Sequence, residues 1–264
     1  MEIKVLNTDK LKTFRSKLST EMPLFGLFMK SLDPAFIEIA GLSGFDYVIL
    51  DMEHGPISTD RLGDLIRAAA ISGLISIVRV PETNEQAIGK ALDLGACGIQ
   101  IPQIKTADEA IKAVHLSKFY PKGERGVCRF VRAAGYSSIP GGKYFHESNE
   151  SLLILQLEGK EALTNIDEIL DVKDIDIFFI GPYDLSQSLG IPGDVKSPLV
   201  RNAMFSIISK AKQAGKAIGT FVDDMESAKY WVDAGIQYIS YSVDVGIFYE
   251  ACAAINASLQ SLWV

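Results

Sequence analysis

Cysteine is scarce in this sequence. Cys97, Cys128 and Cys252 are an odd number with no close pairing, which argues against a disulfide framework or a C-x-x-C metal site and points to a reducing, cytoplasmic setting. Positive charge is also in short supply. Twenty-six Lys and Arg against 33 Asp and Glu leave a formal charge of −7, and acids interrupt the few basic clusters. A phosphate backbone would find no continuous stripe, so nucleic acid is not an expected partner. No run of eighteen apolar residues occurs, and the opening MEIKVLNTDK has no apolar stretch after a basic start; neither a membrane span nor a signal peptide is expected. Also missing are G-x-x-x-x-G-K-[ST], G-x-G-x-x-G after a strand, G-x-S-x-G and H-E-x-x-H. Their absence turns the reading away from nucleotide kinases, Rossmann enzymes, nucleophile-elbow hydrolases and zincins.

What is present is the rhythm of a repeated βα unit. Short runs rich in Ile, Val and Phe predict strands at Leu24–Met29, Tyr47–Asp51, Ile75–Val80, Gly98–Ile101, Leu152–Glu158, Ile175–Ile180, Ala217–Val222 and Tyr238–Ser242. Helical periodicity fills the intervals near Pro34–Leu42, Thr59–Ser72, Asn84–Leu94, Ala107–Leu116, Glu161–Leu170, Pro198–Ala214 and Met225–Ala234, with a last helix from Tyr249. Gly73, Gly95, Gly215 and Gly235 each fall just past such a helix, where a left-handed residue closes the final turn. Eight units in 264 residues favour one closed (β/α)8 barrel spanning residues 1–264 over an open doubly wound sheet. One stretch, Phe119 to Asn149, lacks periodicity and is rich in Gly and Pro. Following strand four, it is expected to begin on the catalytic face.

A barrel of this kind fills its middle with apolar layers and builds its site at the carboxyl ends of the strands, so polar residues there carry the functional argument. Strand two ends in Asp51-Met52-Glu53-His54-Gly55-Pro56, two carboxylates and an imidazole in one turn. His54 is the candidate general base, whereas His115 and His146 sit at no strand end. Strand three stops at Arg79, which could clamp a carboxylate, stabilise an oxyanion or form a rim ion pair. In strand five, period two puts Gln156 and Glu158 on one inward face, and a carboxylate buried there needs a cation or a donor. Strand six runs into Gly181-Pro182-Tyr183-Asp184, a turn that presents Asp184 on the rim, either as a functional acid or as a helix cap. Glu158 and Asp184 together would make a sparse oxygen site of the kind that suits Mg²⁺ or Mn²⁺.

In this order and at these strand ends, Asp51-Met52-Glu53-His54-Gly55-Pro56, Val78-Arg79-Val80-Pro81, Gln156-Leu157-Glu158 and Gly181-Pro182-Tyr183-Asp184-Leu185-Ser186 resemble the HpcH/HpaI family of class II pyruvate aldolases. The likeness runs from about Gly26 to Val245 and includes Ala91-Leu92-Asp93-Leu94-Gly95-Ala96 and the Tyr120-Pro121 and Gly123–Val127 stretch. The resemblance implies a barrel of the phosphoenolpyruvate/pyruvate-binding type and a divalent metal, Mg²⁺ or Mn²⁺ with Co²⁺ as a further candidate, held by Glu158 and Asp184. It further implies that Arg79 and Gln156 contact the pyruvyl half and that Gly181, Pro182 and Tyr183 bind substrate. His54 becomes the base, with Asp51 or Asp93 as its orienting carboxylate. The expected reaction is reversible cleavage of a 4-hydroxy-2-oxo acid to pyruvate and an aldehyde. Tyr183 stands where the family commonly has a small residue, which implies a narrower pocket, and Cys128–Arg132 could meet the aldehyde half. The apolar C-terminal helix is either exchanged between subunits, in the dimer-based hexamer that the resemblance implies, or packed on its own barrel. Three other readings stay open: a lysine Schiff base at Lys30 or Lys105, another metal-enolate lyase or synthase acting on a 2-oxo acid, and a silent barrel that only binds a small acid.

Overall fold

The computed structural model describes residues 8–263; the reading of the first residues as free of a leader therefore falls largely outside the described part. In chain order the elements are α1 Thr8–Ser19, β1 Leu24–Met29, α2 Pro34–Leu42, β2 Tyr47–Asp51, α3 Thr59–Ile71, β3 Ile75–Arg79, α4 Glu85–Asp93, β4 Gly98–Ile101, α5 Ala107–Ser117, α6 Gly141–Ser148, β5 Leu152–Leu157, α7 Lys160–Thr164, α8 Ile166–Asp171, β6 Ile177–Ile180, α9 Pro182–Ser188, α10 Pro198–Gln213, β7 Ala217–Val222, α11 Met225–Asp233, β8 Tyr238–Val243 and α12 Asp244–Gln260. The strands pair in sequence order, β1 to β8, into a closed barrel, and the pairing of β8 with β1 is parallel like the rest. The expected (β/α)8 architecture is therefore the observed one.

Strand alternation divides the apolar residues into two layers. One set faces outward against the helices, for example Val48, Leu50, Val78, Ile99, Leu153, Leu155, Phe178 and Ile180. The other fills the barrel itself: Leu24, Phe28, Tyr47, Ile49, Ile75, Ile77, Leu152, Ile154, Ile177, Phe179 and Tyr238. This second layer is closed from below by Leu11, Phe14 and Leu18 of α1, with Phe14 meeting Tyr47 and Tyr238 edge-on at ring-centroid distances of 6.0 and 6.2 Å. Tyr47 and Tyr238 stack at 4.0 Å. With the lower barrel plugged by aromatic rings, only the carboxyl ends remain for polar groups, which is why the inward series turns from Ile77 to Arg79 and from Ile154 to Gln156.

Side-chain caps mark several helix starts. Asp33, Asn84 and Asp224 accept backbone N–H bonds as caps of α2, α4 and α11, and Thr106 with Glu109 forms a reciprocal capping box on α5. Four expectations change. The helix expected over Glu161–Leu170 is broken at Asn165 into α7 and α8. The last helix begins at Asp244, whose buried carboxylate accepts the backbone N–H groups of Lys30 and Ser31 at 2.9 and 2.8 Å. The irregular stretch Phe119–Asn149 is not on the catalytic face: α5 intervenes after β4 and carries the chain back to the opposite end, so the stretch leads into the start of β5. There it forms its own small core around Phe119, Ala133, Ala134 and Tyr144, tied down where Lys118 reaches Asn149 O and Ser151 O and Arg132 reaches Leu94 O. His146, expected in a loop, lies in α6 of this stretch.

The closeness of β1 to β2 makes one position a sharp test of the register. Gly26 is the partner of Tyr47, and a Cβ at Gly26 would fall 2.3 Å from the Tyr47 ring and 2.5 Å from its carbonyl oxygen. Gly26→Ala is predicted to lower unfolding free energy by about 2 kcal/mol or more, since the backbone oxygen cannot yield. Urea denaturation monitored by tryptophan fluorescence measures this, and an unshifted midpoint would contradict the packing described.

Candidate active site

A cavity of about 290 Å³ opens at the carboxyl ends of the strands. Asp51, His54, Arg79, Gln156, Glu158, Gly181, Pro182, Tyr183 and Asp184 all line it, together with Phe28, Lys30, Phe179, Phe221, Asp223 and Val243. Nine of the ten residues singled out from the sequence thus converge on one space. A larger cavity of about 450 Å³ lies at the other end, beside α1, but its Lys17 is already paired with Asp46 at 2.7 Å and its Lys10 bonded to Gly73 O.

The exception is Asp93. It ends α4, just before the chain enters the start of β4, and it pairs with Arg125 at 2.6 Å. That end of α4 faces the amino-terminal side of the barrel, so within one chain Asp93 cannot orient His54. The Cys128–Arg132 segment, expected beside the aldehyde, likewise lines no part of the cavity.

Arg79 and Asp51 are direct partners across β2 and β3, and the register produces a bidentate pair. Arg79 Nε donates to Asp51 Oδ1 at 2.9 Å and Nη2 to Oδ2 at 2.8 Å. Its Nη1 reaches Glu53 Oε2 at 3.0 Å, and the guanidinium lies 4.8 Å from the centre of the Phe28 ring. Three of its five N–H groups are thereby used, which fixes the fork in the cavity wall and leaves two for a ligand. Burial pushes the Asp51 carboxyl upward, but the Arg79 bonds and charge outweigh it and hold the group below its usual range. Asp51 also accepts the backbone N–H groups of Glu53 and His54 at 3.1 and 3.2 Å. It shapes the turn that carries His54, and through that turn it places the imidazole on the cavity.

Glu158 is buried at the end of β5, with 5% of its surface exposed. Gln156 Nε2 donates to its Oε2 at 2.8 Å and the Gln103 backbone N–H to its Oε1 at 2.8 Å. Gln156 is held in turn by Gln100, whose amide donates to Gln156 Oε1. Gln100 was not anticipated, although the same alternation that exposed Gln156 places it inward on β4. Burial first, and the Asp184 charge second, push the Glu158 carboxyl up to about 7. Neither Glu158 nor Asp184 has an ion-pair partner among the described residues. Asp184 is not the cap of α9: Gly181 takes that position and no side-chain capping bond is made. Gly181 is required by closeness, since a Cβ there would fall 2.3 Å from Glu158 Oε2.

Two hard carboxylates, one of them strongly destabilised as an anion and each with free lone pairs, fit a divalent cation. Among the described residues no cluster of three or more His, Cys, Asp or Glu gathers for a metal, so such an ion would take most of its ligands from water or substrate. Tyr183 donates its hydroxyl to Asp223, and burial and that carboxylate push the phenol up to about 12. Of the two lysines weighed for a Schiff base, Lys30 lines the cavity with its Nζ 3.9 Å from Asp51 Oδ2, whereas Lys105 lies outside it, 3.9 Å from Glu161.

Comparison with known proteins bears on this arrangement. A family model described as HpcH/HpaI aldolase/citrate lyase matches residues 24–251. The hydroxypyruvate/pyruvate aldolase of Paraburkholderia phytofirmans is 38% identical over 239 residues, covering 88% of this chain and 91% of its own. A 2-keto-3-deoxy-L-rhamnonate aldolase of Escherichia coli is 36% identical over 248 residues, covering 93% and 92%. Among solved structures, an HpcH/HpaI aldolase/citrate lyase family protein from Burkholderia cenocepacia superposes with a TM-score of 0.89 at 31% identity, covering 96% of this chain and 99% of the other.

The raised Glu158 carboxyl sets a pH dependence. Its folded value of about 7 lies above the ordinary 4.5, so the folded state holds the proton more tightly. Its contribution favours the metal-free fold below about pH 4.5 and is lost as pH rises through 7. A divalent ion needs the carboxylate and reverses this loss. The rise in melting temperature on replacing EDTA with Mn²⁺ is therefore predicted to be several-fold larger at pH 8 than at pH 5.5. Equal rises at both pH values would contradict the assignment.

Proposed function

The chain belongs to the HpcH/HpaI aldolase/citrate lyase family, and from that premise we propose that it is a metal-dependent pyruvate aldolase that reversibly cleaves a 4-hydroxy-2-oxo acid to pyruvate and an aldehyde. The observation that carries the reading is Glu158, a buried carboxylate beside Asp184 with lone pairs left for a cation.

In this reading Glu158 and Asp184 hold the divalent ion, Mg²⁺ or Mn²⁺ with Co²⁺ as a further candidate. Once bound, the ion would supply Lewis acidity to the pyruvyl half. Gln156 keeps Glu158 oriented, and the Gly181-Pro182-Tyr183 turn walls the substrate. Arg79, fixed by Asp51 and Glu53, turns its remaining N–H groups toward the oxygen on which negative charge develops. His54, directly or through one water, takes the proton of the C4 hydroxyl as the C3–C4 bond breaks. The aldehyde leaves, and one proton returned to C3 completes pyruvate, so the atoms of the hydroxy-oxo acid are all accounted for. Another lyase or synthase reaction on a 2-oxo acid would use the same residues for the same charge development. A Schiff base is disfavoured because Lys30, the one candidate in the cavity, stands beside Asp51 and would make no use of the Glu158 and Asp184 pair.

The proposed assembly is a homo-oligomer. Along α12 and the turn after it, Ile255, Leu259, Leu262 and Trp263 are exposed, which supports exchange of the last helix between subunits in the dimer-based hexamer that the family resemblance implies. Asp93 could then serve His54 only across a subunit boundary. Three unpaired cysteines support a cytoplasmic setting, and no helix among the described residues is long and apolar enough to cross a membrane.

Two substitutions separate the roles. His54→Ala is predicted to lower kcat by about 10²- to 10⁴-fold while Mn²⁺ affinity, followed by paramagnetic resonance or calorimetry, stays near that of the wild type. Glu158→Ala is predicted to abolish both metal binding and pyruvate release. Full activity in either variant would refute the corresponding role.

A further inference from the structure

The cavity has one polar wall that bond cleavage does not use. Alternation along β7 sends Gly219 and Phe221 inward, and Asp223, the first residue after the strand, continues that face onto the cavity rim. The Tyr183 hydroxyl donates to Asp223 Oδ2, and the Tyr183 ring meets Phe221 edge-on with centroids 5.9 Å apart. The other Asp223 oxygen accepts no hydrogen bond among the described residues. Nearby cations are engaged elsewhere: Lys196 with Asp224 at 3.0 Å, and Lys30 and Arg79 with Asp51. Asp223 therefore presents one held oxygen and one open oxygen at the cavity rim.

With the pyruvyl half held at Glu158 and Asp184, the aldehyde half takes what is left of the 290 Å³, whose lining includes Tyr183, Phe221 and Asp223. We infer that Tyr183 and Asp223 form the acceptor-selecting wall of this enzyme, accepting a small aldehyde that carries a hydroxyl group and disfavouring one that carries a carboxylate. This rests on the aldolase reading above and deepens it. The open Asp223 oxygen accepts the acceptor's hydroxyl, whereas an acceptor carboxylate in the same place meets a like charge. Tyr183 acts as a positioning residue, keeping Asp223 turned toward the cavity.

Glycolaldehyde and glyoxylate, two-carbon acceptors that differ in bearing a hydroxymethyl or a carboxylate group, make the test direct. In the addition direction pyruvate C3 bonds to the aldehyde carbon, and the proton lost from C3 is balanced by the one gained at the aldehyde oxygen. The quantity read is kcat/KM for glycolaldehyde divided by kcat/KM for glyoxylate. It is taken within one preparation, so that any inactive fraction cancels. Asp223→Asn keeps an acceptor for Tyr183 and removes the charge, and the ratio is expected to fall about tenfold through a gain on glyoxylate. Asp223→Ala is expected to lower the ratio at least as far, with an added loss on glycolaldehyde. A ratio within about twofold of wild type in both variants overturns the inference. The premise is read separately, as metal-dependent exchange of pyruvate methyl hydrogens with D₂O in the wild-type protein, which needs no acceptor. Exchange with an unchanged ratio sinks the acceptor assignment alone, and no exchange sinks the aldolase reading and this inference together.

Discussion

Burying Glu158 at the mouth of an apolar barrel, with Asp184 as its charged neighbour, costs several kcal/mol unless a cation compensates, and the site is arranged around that cost. Gln156 and the Gln103 backbone each give one hydrogen bond, enough to hold the carboxylate in a single orientation and too little to neutralise it. Gly181 has no side chain where a methyl group would strike the carboxylate oxygen. The α9 turn presents Asp184 without using it as a cap. A purely structural acid would be expected to find an Arg or Lys, and the two in the cavity, Arg79 and Lys30, pair with other acids.

Arg79 answers a different requirement. Its guanidinium is shared between Asp51 and Glu53 and backed by Phe28, an arrangement that replaces the flexibility of a long side chain with a fixed fork. Buried ion pairs of this sort contribute little net stability against an apolar packing of the same volume. Their use lies in pre-organisation: the fork is fixed with two N–H groups left for a ligand, and the same Asp51 that fixes it also shapes the His54 turn. His54, Arg79 and the Glu158 and Asp184 carboxylates thus meet because β2, β3, β5 and β6 end side by side at one mouth of a closed barrel.

Much of this is readable in the amino-acid order, because strand alternation is simple. Once Ile75, Ile77 and Leu152, Ile154 are taken as inward, Arg79, Gln156 and Glu158 must follow them into the mouth. The same rule applied to β4 and β7 marks Gln100 and Asp223 as inward, although neither sits in a recognised motif. What alternation cannot convey is where a helix ends in space. Asp93 looked available to His54 along the chain, yet α4 takes it to the other end of the barrel, to Arg125. The irregular 119–149 stretch was misplaced for the same reason: α5 reverses the chain before it begins. The Tyr183 bond to Asp223 joins residues forty positions apart, a contact that the parallel pairing of β6 with β7 creates.

The most direct test of the account is release of pyruvate from a panel of 4-hydroxy-2-oxo acids, followed through coupled NADH oxidation, with EDTA and then with Mg²⁺, Mn²⁺ or Co²⁺ restored. The account predicts release that EDTA abolishes and a divalent ion returns. Release indifferent to EDTA would contradict it and move the chemistry to Lys30. No release with any metal, in protein that demonstrably binds both metal and pyruvate, would contradict the aldolase reading itself.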